Sequence, residues 1–108
     1  MPKPQGGFDI SRLLKEAQKL QAEMERVESE LAERTVEETA GGGAVKAVVT
    51  CGFKVRSLEI NREIVDLDDL DMLSDLVVAA VNAALDKARK IAQDEMTKVT
   101  GGVNLPLV

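Results

Sequence analysis

Four basic side chains, Arg12, Lys15, Lys19 and Arg26, follow one another at spacings of three, four and seven residues. At about 100° per residue they fall within about 60° of arc on one face of a helix, with neighbouring charges roughly 5 to 10 Å apart. Duplex DNA carries one phosphate charge per ~1.7 Å of axis, so such a row can meet its backbone repeatedly. Glu16, Glu23 and Glu30 border the row and weaken it. Taken alone, the row is more simply a solvated face with intrahelical pairs such as Glu16 with Lys19 and Glu23 with Arg26. Lys87, Arg89, Lys90 and Lys98 form a second, less aligned basic group, and Lys46, Lys54 and Arg56 lie between the two.

The remaining inventory offers little to catalysis. The 108 residues include no His, Trp or Tyr, two Phe and one Cys, which leaves few nucleophiles, general bases or metal ligands. No catalytic residue, metal site or cofactor is expected, and an enzyme is the least favoured class. Cys51 has no partner for an internal disulfide and reads as a small buried or turn residue in a reducing cytoplasm. Gly41-Gly42-Gly43 lacks the following Gly-Lys-Ser/Thr and helix of a phosphate loop, so turn geometry is its reason. Asp66, Asp68, Asp69, Asp71 and Asp75 lack the spacing of a calcium loop, and acids at a helix start favour the positive end of its dipole.

Charge limits the partners. A net charge of -5 argues against indiscriminate polyanion binding, so a nucleic-acid role requires segregation of charge along the chain. Residues 1–34 carry net -1, residues 35–61 net 0 and residues 62–108 net -4. No aromatic platform for stacking bases exists, and any DNA contact is expected to read backbone and shape. The leader Met1 to Phe8 lacks the apolar core of a signal peptide, and no run of ~18 apolar residues exists to cross a membrane.

The elements that position the basic row can be read from periodicity. Leu13, Ala17, Leu20, Met24, Val27 and Leu31 recur at alternating spacings of four and three, which predicts a helix from about Ile10 to Arg34 capped by Asp9 or Ser11. Such a helix is roughly 36 Å long, against a radius of gyration of about 13 Å for a compact domain of this size. It must protrude or find a partner, and its apolar residues are expected to form a seam shared between the core and a homodimer interface. Three runs rich in Val, Thr, Ile and Phe follow, Thr35 to Ala40, Ala44 to Thr50 and Phe53 to Ile60, separated by Gly-bearing turns. They read as an antiparallel meander. In the third, Phe53 and Val55 share one parity, Leu58 and Ile60 the other, so a bulge is expected near Arg56-Ser57. Asp68 or Asp69 opens a second helix with an apolar face of Leu73, Leu76, Val77, Ala80, Ala84, Ala88 and Ile91. It ends near Val99 or Thr100, before Gly101.

Three segments then add what periodicity cannot. Leu14-Lys15-Glu16-Ala17-Gln18-Lys19-Leu20-Gln21, Ala40-Gly41-Gly42-Gly43-Ala44-Val45-Lys46 and Met96-Thr97-Lys98-Val99-Thr100-Gly101-Gly102-Val103-Asn104-Leu105-Pro106 occur in this order at these separations. Together, and with Asn82-Ala83-Ala84, they closely resemble the bacterial YbaB/EbfC family of nucleoid-associated proteins, over nearly all the chain from about residue 10. The resemblance implies an α-β-β-β-α fold, a homodimer with paired helical arms likened to tweezers, and binding to duplex DNA that alters its conformation. Thr50-Cys51 departs from the more polar hairpin turn of many relatives, and the leader is longer than usual. The family supplies no motif-defined set of DNA ligands.

The sequence therefore predicts a two-layer α+β protein in which a three-stranded antiparallel meander is flanked by two long helices, homodimeric with protruding arms. The expected divisions are a disordered leader over 1–8, a single YbaB-like domain over 9–102 and an apolar tail over 103–108. The expected function is that of a nucleoid-associated protein of the bacterial cytoplasm. DNA phosphates are expected to meet Arg12, Lys15, Lys19, Arg26, Lys87, Lys90 and Lys98. The alternative left open is a dimeric protein-interaction scaffold, docking partners through its long helices and the tail, with incidental DNA binding.

Overall fold

A computed structural model describes residues 9–101, arranged as α1 (Ile10–Glu33), β1 (Thr35–Ala40), β2 (Val45–Thr50), β3 (Val55–Ile60) and α2 (Leu70–Val99). The expected leader over 1–8 and tail over 103–108 lie outside the described residues, as does Gly102. Each helix opens on an aspartate that satisfies one of the amide groups orphaned at its start. Asp9 Oδ1 accepts from Arg12 N–H at 3.3 Å, and Asp69 Oδ1 accepts from Met72 N–H at 3.1 Å. At the far end of α2, Thr100 N–H donates to Met96 O at 3.0 Å, and Gly101 turns left-handed at φ +65.

The sheet order is β1-β2-β3, antiparallel throughout. Val36 pairs with Val49 and Glu38 with Ala47 on one side of β2; Val45 pairs with Ile60 and Ala47 with Leu58 on the other. Val48 faces Ser57 while Val49 faces Val55, so Arg56 is the extra residue of a bulge, at the expected place. The bulge turns Val55, Leu58 and Ile60 to the same face. The third strand begins later than the sequence suggests, however. Thr50 N–H donates to Lys54 O at 2.8 Å and Lys54 N–H donates to Thr50 Oγ1 at 3.2 Å, closing the hairpin before Val55. Phe53 is therefore a turn residue, at φ +69. The other turn uses Gly41 at φ +66, where an added Cβ would lie 2.9 Å from Leu76 Cδ2.

α2 lies across β1 and β2. Ala80, Ala84, Ala88 and Ala92, four residues apart, bring its backbone close to Val36, Val45, Ala47 and Val49, and these residues form much of the core. Because α2 does not reach over β3, Val55, Leu58 and Ile60 stay 51%, 39% and 40% exposed although they share the core-facing side of the sheet.

The apolar seam of α1 divides. Val27 and Leu31 are buried and Met24 half-buried, packed in the same cluster as Ala92, Met96 and Cys51. The last turns of the seam thus belong to the core of this chain. α2 is 30 residues long and outruns the sheet, so its own C-terminal turns cover them. Leu13, Ala17 and Leu20 remain exposed, as does every residue from Ile10 to Ala22. This half of α1 is a free arm, and the protein measures 85 × 20 × 16 Å with a radius of gyration of 21.6 Å. Between arm and sheet stands one extended residue, Arg34. Its N–H donates to Glu30 O at 3.0 Å, its carbonyl accepts from Cys51 N–H at 2.8 Å, and its guanidinium lies 3.7 Å from Glu95.

Candidate nucleic-acid interface

The basic residues singled out by spacing fall into two groups once their neighbours are known. Arg12 lies 3.3 Å from Glu16 and Arg26 lies 2.8 Å from Glu30. These pairs replace the expected Glu16–Lys19 and Glu23–Arg26 pairs, because a spacing of four lets the long arginine side chain reach forward one turn. Lys15 and Lys19 have no carboxylate within ion-pair distance among the described residues. Both are fully on the exposed arm. They are thus the two charges of the row that reach solvent uncompensated.

The second group divides likewise. Lys87 lies 3.6 Å from Glu38 of β1, tying helix to sheet, and Lys98 lies 3.0 Å from Glu95, which also faces Arg34. Lys90 has no carboxylate partner among the described residues. Lys46 sits between two carboxylates, 2.8 Å from Glu59 and 3.3 Å from Glu37, and its pKa is raised by the hydrogen bond to Glu59 first and that to Glu37 second. A lysine so neutralised has little left for a phosphate. The members of these pairs are exposed or half-buried, so solvent screens them and each cation can exchange its carboxylate for a stronger anion.

Sequence reading missed two contacts that decide availability. Glu38 shares its parity with Val36 and Ala40, the helix-facing side of β1, and that signal places it against α2 and its Lys87. Phe53, projected by its left-handed turn, lies under Arg89, whose Cζ is 5.9 Å from the ring centroid while Nη1 meets Asp86 at 3.0 Å. No simple sequence signal gives that pairing. Cys51 is buried as expected, and burial raises its thiol pKa against a smaller opposing effect of Arg34.

The arrangement is therefore an exposed helical arm with a lysine pair one turn apart, mounted on a small α+β body. The family model of the YbaB/EbfC DNA-binding family matches residues 6–103. The chain belongs to the YbaB/EbfC DNA-binding family. A nucleoid-associated protein of Thermoanaerobacter pseudethanolicus is 50% identical over 101 residues, which is 94% of this chain and 91% of that one. A nucleoid-associated protein of Acetivibrio thermocellus is 50% identical over 100 residues, 93% of this chain and 88% of that one. The crystal structure of an uncharacterized protein from Helicobacter pylori superposes with a TM-score of 0.78 at 17% identity, covering 88% of this chain and all of that one, and so shares its fold. This YbaB/EbfC member thus combines a family fold with charges placed by its own sequence. No helix among its described residues is long and apolar enough to cross a membrane.

Proposed function

We propose that this protein binds duplex DNA as a homodimer, mainly through phosphate contacts made by its α1 arms, and acts in the bacterial nucleoid by altering DNA conformation and influencing gene expression. Membership of a DNA-binding family across residues 6–103 carries the reading. The uncompensated Lys15 and Lys19 support the arm as the contact surface, with Arg12 and Arg26 joining as they exchange carboxylates for phosphates. Lys90, Lys87 and Lys98 form a second set on α2. Two apolar surfaces support a dimer: the arm edge of Leu13, Ala17 and Leu20, and the strip of Val55, Leu58 and Ile60 left bare by α2. Two arms in one dimer would double the basic row presented to a duplex.

Titration of long duplex DNA at two salt concentrations, with the size of the free protein measured alongside, tests the reading. Affinity should fall steeply with salt, by about 0.9 log units per neutralised phosphate for each log unit of salt. Absence of a complex at low salt, or one indifferent to salt, sinks it. Changing Arg12, Lys15 and Lys19 together to Glu should abolish DNA retention and leave the dimer intact. A second reading, a dimeric scaffold for protein partners with incidental DNA binding, draws support from the net charge of -5 and the acidic stretch before α2. It requires the triple variant to retain partners it has lost the power to anchor on DNA.

A further inference from the structure

Two cations of the β2–β3 hairpin, Lys54 and Arg56, belong to neither the set on α1 nor the set on α2. Arg56 is the extra residue of the β3 bulge. Lys54 closes the turn, its N–H donating to Thr50 Oγ1 at 3.2 Å and its carbonyl accepting from Thr50 N–H at 2.8 Å. Both residues are exposed, and Lys54 has no carboxylate within ion-pair distance among the described residues.

The hairpin is seated on the last turn of α1. A Cβ at Gly52 would lie 3.3 Å from the Cα of Ala32, so a bare glycine lets the turn come this close to the helix backbone. Across that contact Arg56 Nη2 lies 3.6 Å from Glu33 Oε2. A cleft of about 350 Å³ opens here, and its lining includes Ala32, Glu33, Thr50, Gly52, Lys54 and Arg56. Two cations against one carboxylate make this corner positive in a chain of net charge -5.

Glu33 lies 18 residues after Lys15. That is five turns of about 3.6 residues, so the two stand on one line along α1, about 27 Å apart. Glu33 also follows Arg26 by seven residues, as Arg26 follows Lys19. Where the basic row would next carry a positive charge the helix has an acid, and the hairpin brings Arg56 to it. The row therefore continues from helix to sheet on the same face.

We infer that Lys54 and Arg56 bind backbone phosphates of the duplex that the arm contacts, an assignment that rests on the arm reading proposed above. The phosphate track then crosses the base of the arm onto the body. Contacts on the arm alone leave the angle between duplex and body undefined, whereas a contact on the hairpin, held to α1 at Gly52, fixes it. Glu33 is the carboxylate that Arg56 gives up when a phosphate arrives, as an exposed and screened pair allows.

Fluorescence anisotropy of a labelled duplex across several salt concentrations tests the assignment. Lys54→Ala with Arg56→Ala should weaken binding at low salt by at least about tenfold and lower the slope of log affinity against log salt by about 1.8 to 3.6 in a dimer, from 0.9 for each of two to four phosphates. Lys54→Arg with Arg56→Lys, which keeps both charges, should restore the wild-type slope. Arg62→Ala removes an exposed cation beside the acidic stretch before α2 and should leave the slope unchanged, which separates a local contact from net charge. Circular dichroism reports whether each variant is folded. If the double alanine variant is not, Lys54→Gln alone decides, because Lys54 has no ion pair to lose: its slope should fall by about 1.8. A wild type that binds no DNA overturns this inference together with the proposed function. A wild type that binds with the expected salt dependence while the hairpin variants keep its slope, or an equal fall in slope for Arg62→Ala, overturns the inference alone.

Discussion

Replacing Lys15 and Lys19 by Ala is the most discriminating change on the arm, because these side chains have no carboxylate to release before they can meet a phosphate. In a dimer the pair becomes four charges. If each neutralises one phosphate, removing them lowers the slope of log affinity against log salt by about 3.6, from 0.9 per phosphate. Arg12→Ala with Arg26→Ala removes the same number of charges, but each arginine already stands 3.3 or 2.8 Å from a glutamate that would be left bare near the DNA. The loss from the arginine pair therefore includes new repulsion and should be recovered in part by Glu16→Gln with Glu30→Gln, a change expected to tighten binding in the otherwise unaltered protein. Fluorescence anisotropy of a labelled duplex across several salt concentrations reads both slopes. A slope unchanged by the lysine substitutions, or glutamine variants that bind no better, refutes the assignment of the arm as the phosphate-binding surface.

Other expectations concern the body that holds the arm. Ala84→Leu inserts a large side chain where helix and sheet touch, and overpacking of this kind should cost about 1 to 3 kcal/mol in urea unfolding. Gly41→Ala should destabilise more than Gly42→Ala: both sites are left-handed, at φ +66 and +67, but only at Gly41 does a Cβ meet Leu76, at 2.9 Å. A midpoint lowered equally by the two would mean that backbone conformation alone matters there. Burial raises the Cys51 pKa in the folded state, so its contribution to stability is full below the unfolded thiol pKa and is lost as pH rises through the folded one. Stability of the wild type should accordingly fall at alkaline pH in a way that Cys51→Ala does not share, and a disulfide reagent should label the native thiol slowly.

Local rules made much of this architecture legible. Asp9 and Asp69 are caps because a short acceptor stands just before a long apolar periodicity, and the bulge at Arg56 follows from a change of parity within six residues. These signals need no knowledge of distant chain. The division of the α1 seam was not legible, since Val27 looks like Leu20 until α2 is known to extend past the sheet. Phe53 could be read as strand because nothing nearby announces the Thr50–Lys54 closure that throws it into a left-handed turn. Charge availability was similarly hidden. Lys87 and Lys90 are indistinguishable in sequence, and only the fold sets Glu38 within 3.6 Å of the first.

The single residue between α1 and β1 makes the arm a lever. With the Arg34 amide, carbonyl and guanidinium engaged by the helix, the hairpin and α2, the joint has little rotational play. Over the free half of α1, about 20 Å from Ile10 to Ala22, a tilt of about 10° displaces the tip by about 3 Å, close to the 3.4 Å separating successive phosphates on one strand. Small changes around Arg34, Glu95 or Cys51 would therefore be read out, far from where they occur, as a displacement of the arm tip and, in the proposed complex, of its register along the duplex.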